Sequence, residues 1–303
     1  MSTANTASLG VSRRNSLVGI AFTLPAILGF VMFSIGPMIA SLVLSFTNYS
    51  ISKPLKFIGI SNYRALLTGQ DTFFFNSIRV TLLFVLMNVP VCLVTAFLIA
   101  LLLNSKNIAG RSLFRTIFYI PTIIPIIATA MIFMWMMSPD FGLFNAILKL
   151  IGVSPSKWIY GENSVLPSLL LMTAWCSGNI MVVFLAGLQG IPTSLYEAIV
   201  VDGGGTFAKF WHVTLPLMTP TIFFNMVMFL ISSMQAFLQA YIMTQGGPNN
   251  RTNFIVYYLY RNAFEFGDIG KANSLGWILF LIIVAVSALL FWSSKYWVYY
   301  GDE

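Results

Sequence analysis

The residues best placed for chemistry in this chain are Tyr196-Glu197-Ala198-Ile199-Val200-Val201-Asp202-Gly203-Gly204-Gly205, followed by Val213-Thr214-Leu215-Pro216. A carboxylate on a short apolar helix breaks no bond by itself; what it offers is a charged, shape-specific contact with another surface. Ser194 and Glu197 have the spacing of a capping box, in which the serine hydroxyl caps the helix start and the carboxylate reaches back to the serine amide. Residues 195–201 then read as one short helix, Gly203 to Gly205 as its left-handed end, and 207–213 as a second helix before Pro216 opens the next apolar stretch. Leu195, Tyr196, Ile199, Val200, Phe207, Phe210 and Trp211 make this loop too apolar to stand in water alone. It needs either a partner protein or the headgroup layer of a membrane.

A second set is polar without charge. Asn225, Ser232 and Gln239 recur every seven residues, which puts them on one face of a continuous helix, with Ser233 and Gln235 beside them. Trp175 and Asn179 form an i, i+4 pair flanking Ser177. In apolar surroundings such groups either glue helices together or line a path for a neutral, hydroxyl-rich solute held by amides, hydroxyls and an aromatic face. The residue types leave both readings open.

The elements that must position these residues are membrane spans. Of the 303 residues 58% are hydrophobic and 8% charged, far beyond what a soluble core requires. Six stretches have the length and apolarity of a spanning helix, at about 17–46, 74–103, 114–137, 166–188, 217–244 and 274–292. An even number of spans puts both termini on one side. Lys and Arg divide almost evenly between the two faces, but Lys106, Arg111 and Arg115 crowd one short loop. That density favours the cytoplasm for this loop and for the termini. The first stretch follows Arg13 and Arg14 as a signal peptide would, yet about thirty residues is too long for one, so it reads as a retained span.

What the spans lack narrows the function further. No ionisable residue falls near a span centre, where a charge would cost at least about 2.5 kcal/mol and would mark an ion or proton path. No phosphate-loop motif is present, so energy for uphill transport has to come from a partner. The sixteen Lys and Arg form no basic run, which argues against nucleic acid despite the net charge of +7. Cys92 and Cys176 lie far apart in apolar stretches and read as small buried hydrophobes, so neither a disulfide nor a metal site is expected, and no catalytic residue either.

The loop resembles the Glu-Ala-Ala loop of binding-protein-dependent ABC importer permeases, whose pattern is Glu-Ala-Ala, three residues, Gly, nine residues, Ile, one residue, Leu-Pro. Glu197-Ala198, Gly203 and Leu215-Pro216 match it, with Ile199 in place of the third Ala and Val213 in place of Ile. Phe57-Ile58-Gly59-Ile60-Ser61-Asn62-Tyr63, Gly110-Arg111-Ser112-Leu113-Phe114-Arg115 with Pro121 and Pro125, and Thr244-Gln245-Gly246-Gly247-Pro248 resemble, in order, recurring segments of the carbohydrate branch, which includes maltose, oligosaccharide and glycerol-phosphate permeases.

This resemblance implies an all-α, six-span type I importer permease in the plasma (inner) membrane of a bacterium, with both termini cytoplasmic. It implies a cytoplasmic tail at 1–16, one permease domain at 17–298 with a coupling loop at 189–216, and a second tail at 299–303. Glu197, Ala198, Asp202, Gly203, Leu215 and Pro216 would form the coupling site for a cytoplasmic ATPase subunit. Trp175, Ser177, Asn179, Asn225, Ser232, Ser233, Gln235 and Gln239 would line the substrate path. The implied partners are a second permease chain, two ATPase subunits that bind the ATP and Mg, and an extracellular or periplasmic sugar-binding protein; the chain itself would carry no cofactor. The implied cargo is a carbohydrate, an oligosaccharide by preference. The alternatives are a glycerophosphate permease, disfavoured by the lack of an Arg pair in the spans, an ion-coupled secondary transporter, and a membrane-embedded assembly protein.

Overall fold

The computed structural model describes residues 7–50, 54–105 and 108–299, with side chains from residue 18 onward, so the expected charge at Lys106 lies outside the described residues. Among the described residues, four single helices are long and apolar enough to cross a membrane: Val18–Ser45, Phe74–Asn104, Thr206–Met234 and Ile269–Ser294. Two bent pairs complete a set of six, Arg111–Ile123 with Ile126–Met136 at 99° and Val165–Trp175 with Gly178–Gln189 at 50°. All six overlap the expected stretches, in the expected order. Their shapes differ from uniform rods, and each departure has a local cause.

The third span is two helices because Pro125 follows Ile124. Proline disfavours helical torsions in the residue before it, and Ile124 is extended, at φ −69° and ψ 130°. The fifth span begins at Thr206, not near 217, so the second loop helix is its first turn. Pro216 cannot donate to the carbonyl four residues back and its ring crowds it, and a wider π turn at Phe210–Thr214 precedes it. A π turn at Val31–Ile35 stands in the same relation to Pro37 in the first span. The fifth span also ends early, at Met234, and resumes after a break as the π turn Ala240–Thr244. The first helix begins at Ala7, inside the stretch expected as a tail.

The second span is the hub. Val89, Leu93, Ala96, Ala100 and Leu103 pack against Met181, Phe184 and Leu188 of the fourth span and Met218 and Leu230 of the fifth. On its other half, Val80 and Phe84 meet Phe133, Leu169, Met172 and Phe254. Small residues set how closely neighbours approach. At Gly178 a Cβ would lie 2.4 Å from the Phe118 carbonyl oxygen and 2.8 Å from Thr122 Cγ2, so the third span rests directly on backbone there.

Just before the second span, Asp71 ties its start to Tyr258 and to the start of the sixth span. Its Oδ1 accepts the Phe73 and Phe74 amides, each at 3.0 Å. Its Oδ2 accepts the Tyr258 hydroxyl at 2.5 Å and pairs with the Lys271 ammonium at the start of the sixth span. Burial pushes the Asp71 carboxyl up, but Lys271, Tyr258 and the Phe73 amide together outweigh it and hold it below the ordinary carboxylate range.

Two measurements check this packing. Gly178→Ala should lower the thermal stability of the purified protein by about 1–3 kcal/mol through overpacking, whereas Gly29→Ala, with nothing within 4 Å, should be neutral. Because the folded-state pKa of Asp71 is depressed, its contribution is complete above about pH 4 and is lost as pH falls through the lower folded value. Acidification below about pH 4 should therefore destabilise the wild type more than Asp71→Asn, read as melting temperature against pH.

Candidate functional site

The loop helix runs Thr193–Val201 with Pro192 at its N-cap and no side-chain cap. The expected capping box is therefore not formed. Pro192 starts the helix early, Ser194 lies within the first turn, and Glu197 is too far along to reach back. Glu197 stands exposed, as do Ala198 and Asp202.

The helix ends in a Schellman motif. The Gly204 amide bonds the Ile199 carbonyl at 2.7 Å and the Gly203 amide bonds Val200 at 3.0 Å. Gly203 supplies the left-handed turn at φ +78°. Gly204 supplies the close approach, since a Cβ there would lie 2.6 Å from Ile199 Cγ2. The Tyr196 hydroxyl then meets Thr214 Oγ1 at 3.0 Å and ties this helix to the foot of the fifth span. Leu215 and Pro216 are half-buried within that foot.

Tying the helix down divides its apolar residues into two sets. Tyr196 and Ile199 pack against the core that contains Leu188, Val213 and Met218. Leu195, Val200, Val201, Phe207 and Trp211 stay outside, Val201 at 87% exposure and Phe207 at 76%. Between the two sets a cleft of about 680 Å³ is lined by Glu197, Tyr196, Val200, Asn104, Arg111 and Lys209. The result is an apolar knob with a carboxylate on it, held rigidly at the end of the bundle where the second span finishes.

The polar residues inside the bundle are arranged differently from the expected face. The break after Met234 takes Gln239 off the helix that carries Asn225 and Ser232, and Ser232 is exposed while Asn225 is buried. Asn225 Nδ2 donates to the Thr221 carbonyl at 3.0 Å, within its own helix. Ser177 is buried at the break of the fourth span and donates to Ala174 at 2.7 Å. Asn179 and Gln235 are exposed and Gln239 is half-buried. Trp175 packs its ring 5.5 Å from Phe133 and, with Ser177, Phe118 and Thr95, lines a cleft of about 560 Å³.

What joins these elements is a residue the spacing did not single out. Asn88, buried in the second span, donates its Nδ2 to Ser233 Oγ at 3.0 Å and accepts the Thr173 hydroxyl on its Oδ1 at 2.6 Å. Cys92 donates its thiol to the same oxygen at 3.4 Å, so it is more than a small hydrophobe. One amide thus ties the second, fourth and fifth spans. It holds Thr173 and Ser233, which stand two residues before the exposed side chains Trp175 and Gln235 at the edges of the two breaks. The signal was present, as an amide inside an apolar helix two residues before Pro90.

The family model described as binding-protein-dependent transport system inner membrane component matches residues 93–298. This chain belongs to that family. It is a permease, a transport component of the inner membrane and not an enzyme. It is 39% identical over 295 residues to the probable ABC transporter permease protein YesP of Bacillus subtilis, covering 96% of this chain and 94% of that one. It is 31% identical to the arabinooligosaccharides transport system permease protein AraP of the same organism, covering 88% of this chain and 85% of the other. The fold matches, at a TM-score of 0.79 and 23% identity, a chain of a bacterial ABC transporter involved in the import of the acidic polysaccharide alginate, covering 95% of this chain and 98% of that one.

In this permease Asn88→Leu removes both interhelical bonds and leaves Ser233 without its donor. The melting temperature should drop by the equivalent of about 1–2 kcal/mol, given about 0.6 kcal/mol for an average interhelical bond in a membrane. Uptake by the assembled transporter should fall further than that loss of stability explains, measured at a temperature where the variant is fully folded.

Proposed function

We propose that this permease moves an oligosaccharide inward across a bacterial plasma membrane as one half of the membrane part of an ATP-driven importer. A sugar-binding protein delivers the cargo from outside, a second permease chain completes the path, and two ATPase subunits bind and hydrolyse ATP with Mg at the Glu197 end. That end and both termini face the cytoplasm, with tails at 1–16 and 299–303 flanking the 17–298 permease domain and its 189–216 loop.

The observation that carries this reading is the knob around Glu197. A headgroup layer would accept the exposed Val201 and Phe207, but it does not require a Schellman turn and a Tyr196–Thr214 tie to hold them in one shape. A rigid apolar surface carrying the Glu197 and Asp202 carboxylates suits a groove in another protein. Ala198, Asp202 and Gly203 shape that surface, and Leu215 and Pro216 pass its movement into the fifth span.

Neutral polarity at the breaks supports a sugar as cargo. Trp175 at one break, and Ser232, Gln235 and Gln239 around the other, offer an aromatic face and hydrogen-bonding groups without charge, with Asn179 further along its span; Ser177, Ser233 and Asn225 are buried and already hydrogen-bonded within the bundle. The likeness to AraP, at 31% identity, points to the same class of cargo.

Glu197→Gln tests the docking. It removes the charge and, because no capping box exists, should leave the melting temperature unchanged. ATP-driven uptake in proteoliposomes should fall about tenfold, the effect of about 1.4 kcal/mol of lost contact. Full uptake by this variant would count against a charged contact, and uptake driven by an ion gradient without ATP would overturn the importer reading altogether.

A further inference from the structure

We propose that an aromatic ladder at the end of the bundle opposite Glu197 is a stacking surface for sugar rings, leading an oligosaccharide to the break in the fifth span; this rests on the carbohydrate reading above. Phe237 stands at the break, and Tyr241 lies next to it at 5.3 Å with the two rings nearly parallel, 19° apart. Tyr260 follows, 5.2 Å from Tyr241 and 5.1 Å from Phe237. Phe264 is the outermost rung, 5.0 Å from Tyr260. Tyr241 at 41% and Phe264 at 73% are exposed, while Phe237 and Tyr260 are half-buried.

Four rings from two separate segments, strung from a helix break to an open rim, are more than core packing needs. Charge runs beside the rings. Arg261 Nε bonds Glu265 Oε2 at 2.8 Å, and the guanidinium lies 5.1 Å from the Phe266 ring. Exposed Gln235 and half-buried Gln239 flank the inner end.

This mixture selects among possible occupants. Lipid tails would leave the Arg261–Glu265 pair in hydrocarbon, at a cost of several kcal/mol. A dry protein interface excludes charge from its centre. Sugar rings present C–H faces to aromatics and hydroxyls to amides and ions, and they fit both parts at once. Tyr260 and Phe264 lie four residues apart on the segment that enters the π turn Arg261–Glu265, with the ion pair at the same spacing one residue on. The rings and their polar partners therefore run side by side along that segment.

Saturation-transfer NMR on the purified complex, without binding protein, using arabinotriose and maltotriose as probes, tests the ladder directly. Transfer from aromatic protons to one of the trisaccharides is expected in the wild type. Phe264→Ala and Tyr260→Ala should weaken it about threefold to tenfold, and Phe264→Trp and Tyr260→Phe should retain it. ATP hydrolysis without sugar should stay unchanged in the two Phe264 variants, because Phe264 is largely exposed and its loss leaves no cavity. Unchanged transfer in the alanine variants overturns the proposal. So does reduced uptake with unchanged transfer, which would make the rim a docking surface for the binding protein. If the wild type imports a trisaccharide in proteoliposomes but shows no transfer, the ladder fails and the carbohydrate reading stands. If it imports neither, both fail.

Discussion

Three membrane spans meet at one buried amide, and the placing of nearly everything functional follows from that meeting. Asn88 lies close to the middle of the 31-residue second helix, where hydrocarbon would otherwise surround it and leave its donors and acceptor unsatisfied. It is satisfied from both sides, by Ser233 of the fifth span and by Thr173 of the fourth. Each partner lies within two residues of the last residue of its helix segment, Trp175 or Met234. The breaks are therefore held beside each other, and the backbone groups they free, with Trp175 and Gln235, come to the same depth in the bundle. Van der Waals packing among apolar helices would allow many rotations; a shared amide allows far fewer.

The same economy governs the other irregularities. Irregular backbone is tolerated at membrane depth only where protein or a polar cavity covers it. Pro125 divides the third span, and Gly178 lets that span rest on the fourth at the fourth span's own break. Prolines at 37 and 216 are each preceded by a π turn, so both helices bend without stopping. In the fifth span this keeps one helix unbroken from Thr206 to Met234, 29 residues or about 43 Å. The Tyr196–Thr214 tie joins the Glu197 knob to the foot of that rod, and Ser233 bonds Asn88 near its head. A single helix thus connects the knob to the breaks.

How much of this was legible beforehand differs from residue to residue. Six spans, their order and the loop between the fourth and fifth were readable because apolar length is a local property of the chain. Gly203 was readable because only a left-handed turn explains that glycine after a short helix. The capping box at Ser194 and Glu197 was a fair reading of spacing that failed because Pro192 starts the helix two residues sooner. The face through Asn225, Ser232 and Gln239 failed because heptad spacing has meaning only along an unbroken helix, and the break at Met234 leaves no strong local mark.

By itself, then, the order of residues determined that this chain crosses a membrane, where it crosses, and that an acidic apolar helix ending in a glycine turn lies between the fourth and fifth spans, since hydropathy and turn chemistry act over a few residues. Only the tertiary structure decided which polar side chains are spent on holding the bundle and which remain exposed at its breaks. Ser233 and Gln235 are two residues apart and look alike in the sequence. One is bound to Asn88 across 145 positions and the other is exposed, because a hydrogen bond between helices depends on a neighbour whose distance along the chain carries no information about its distance in space.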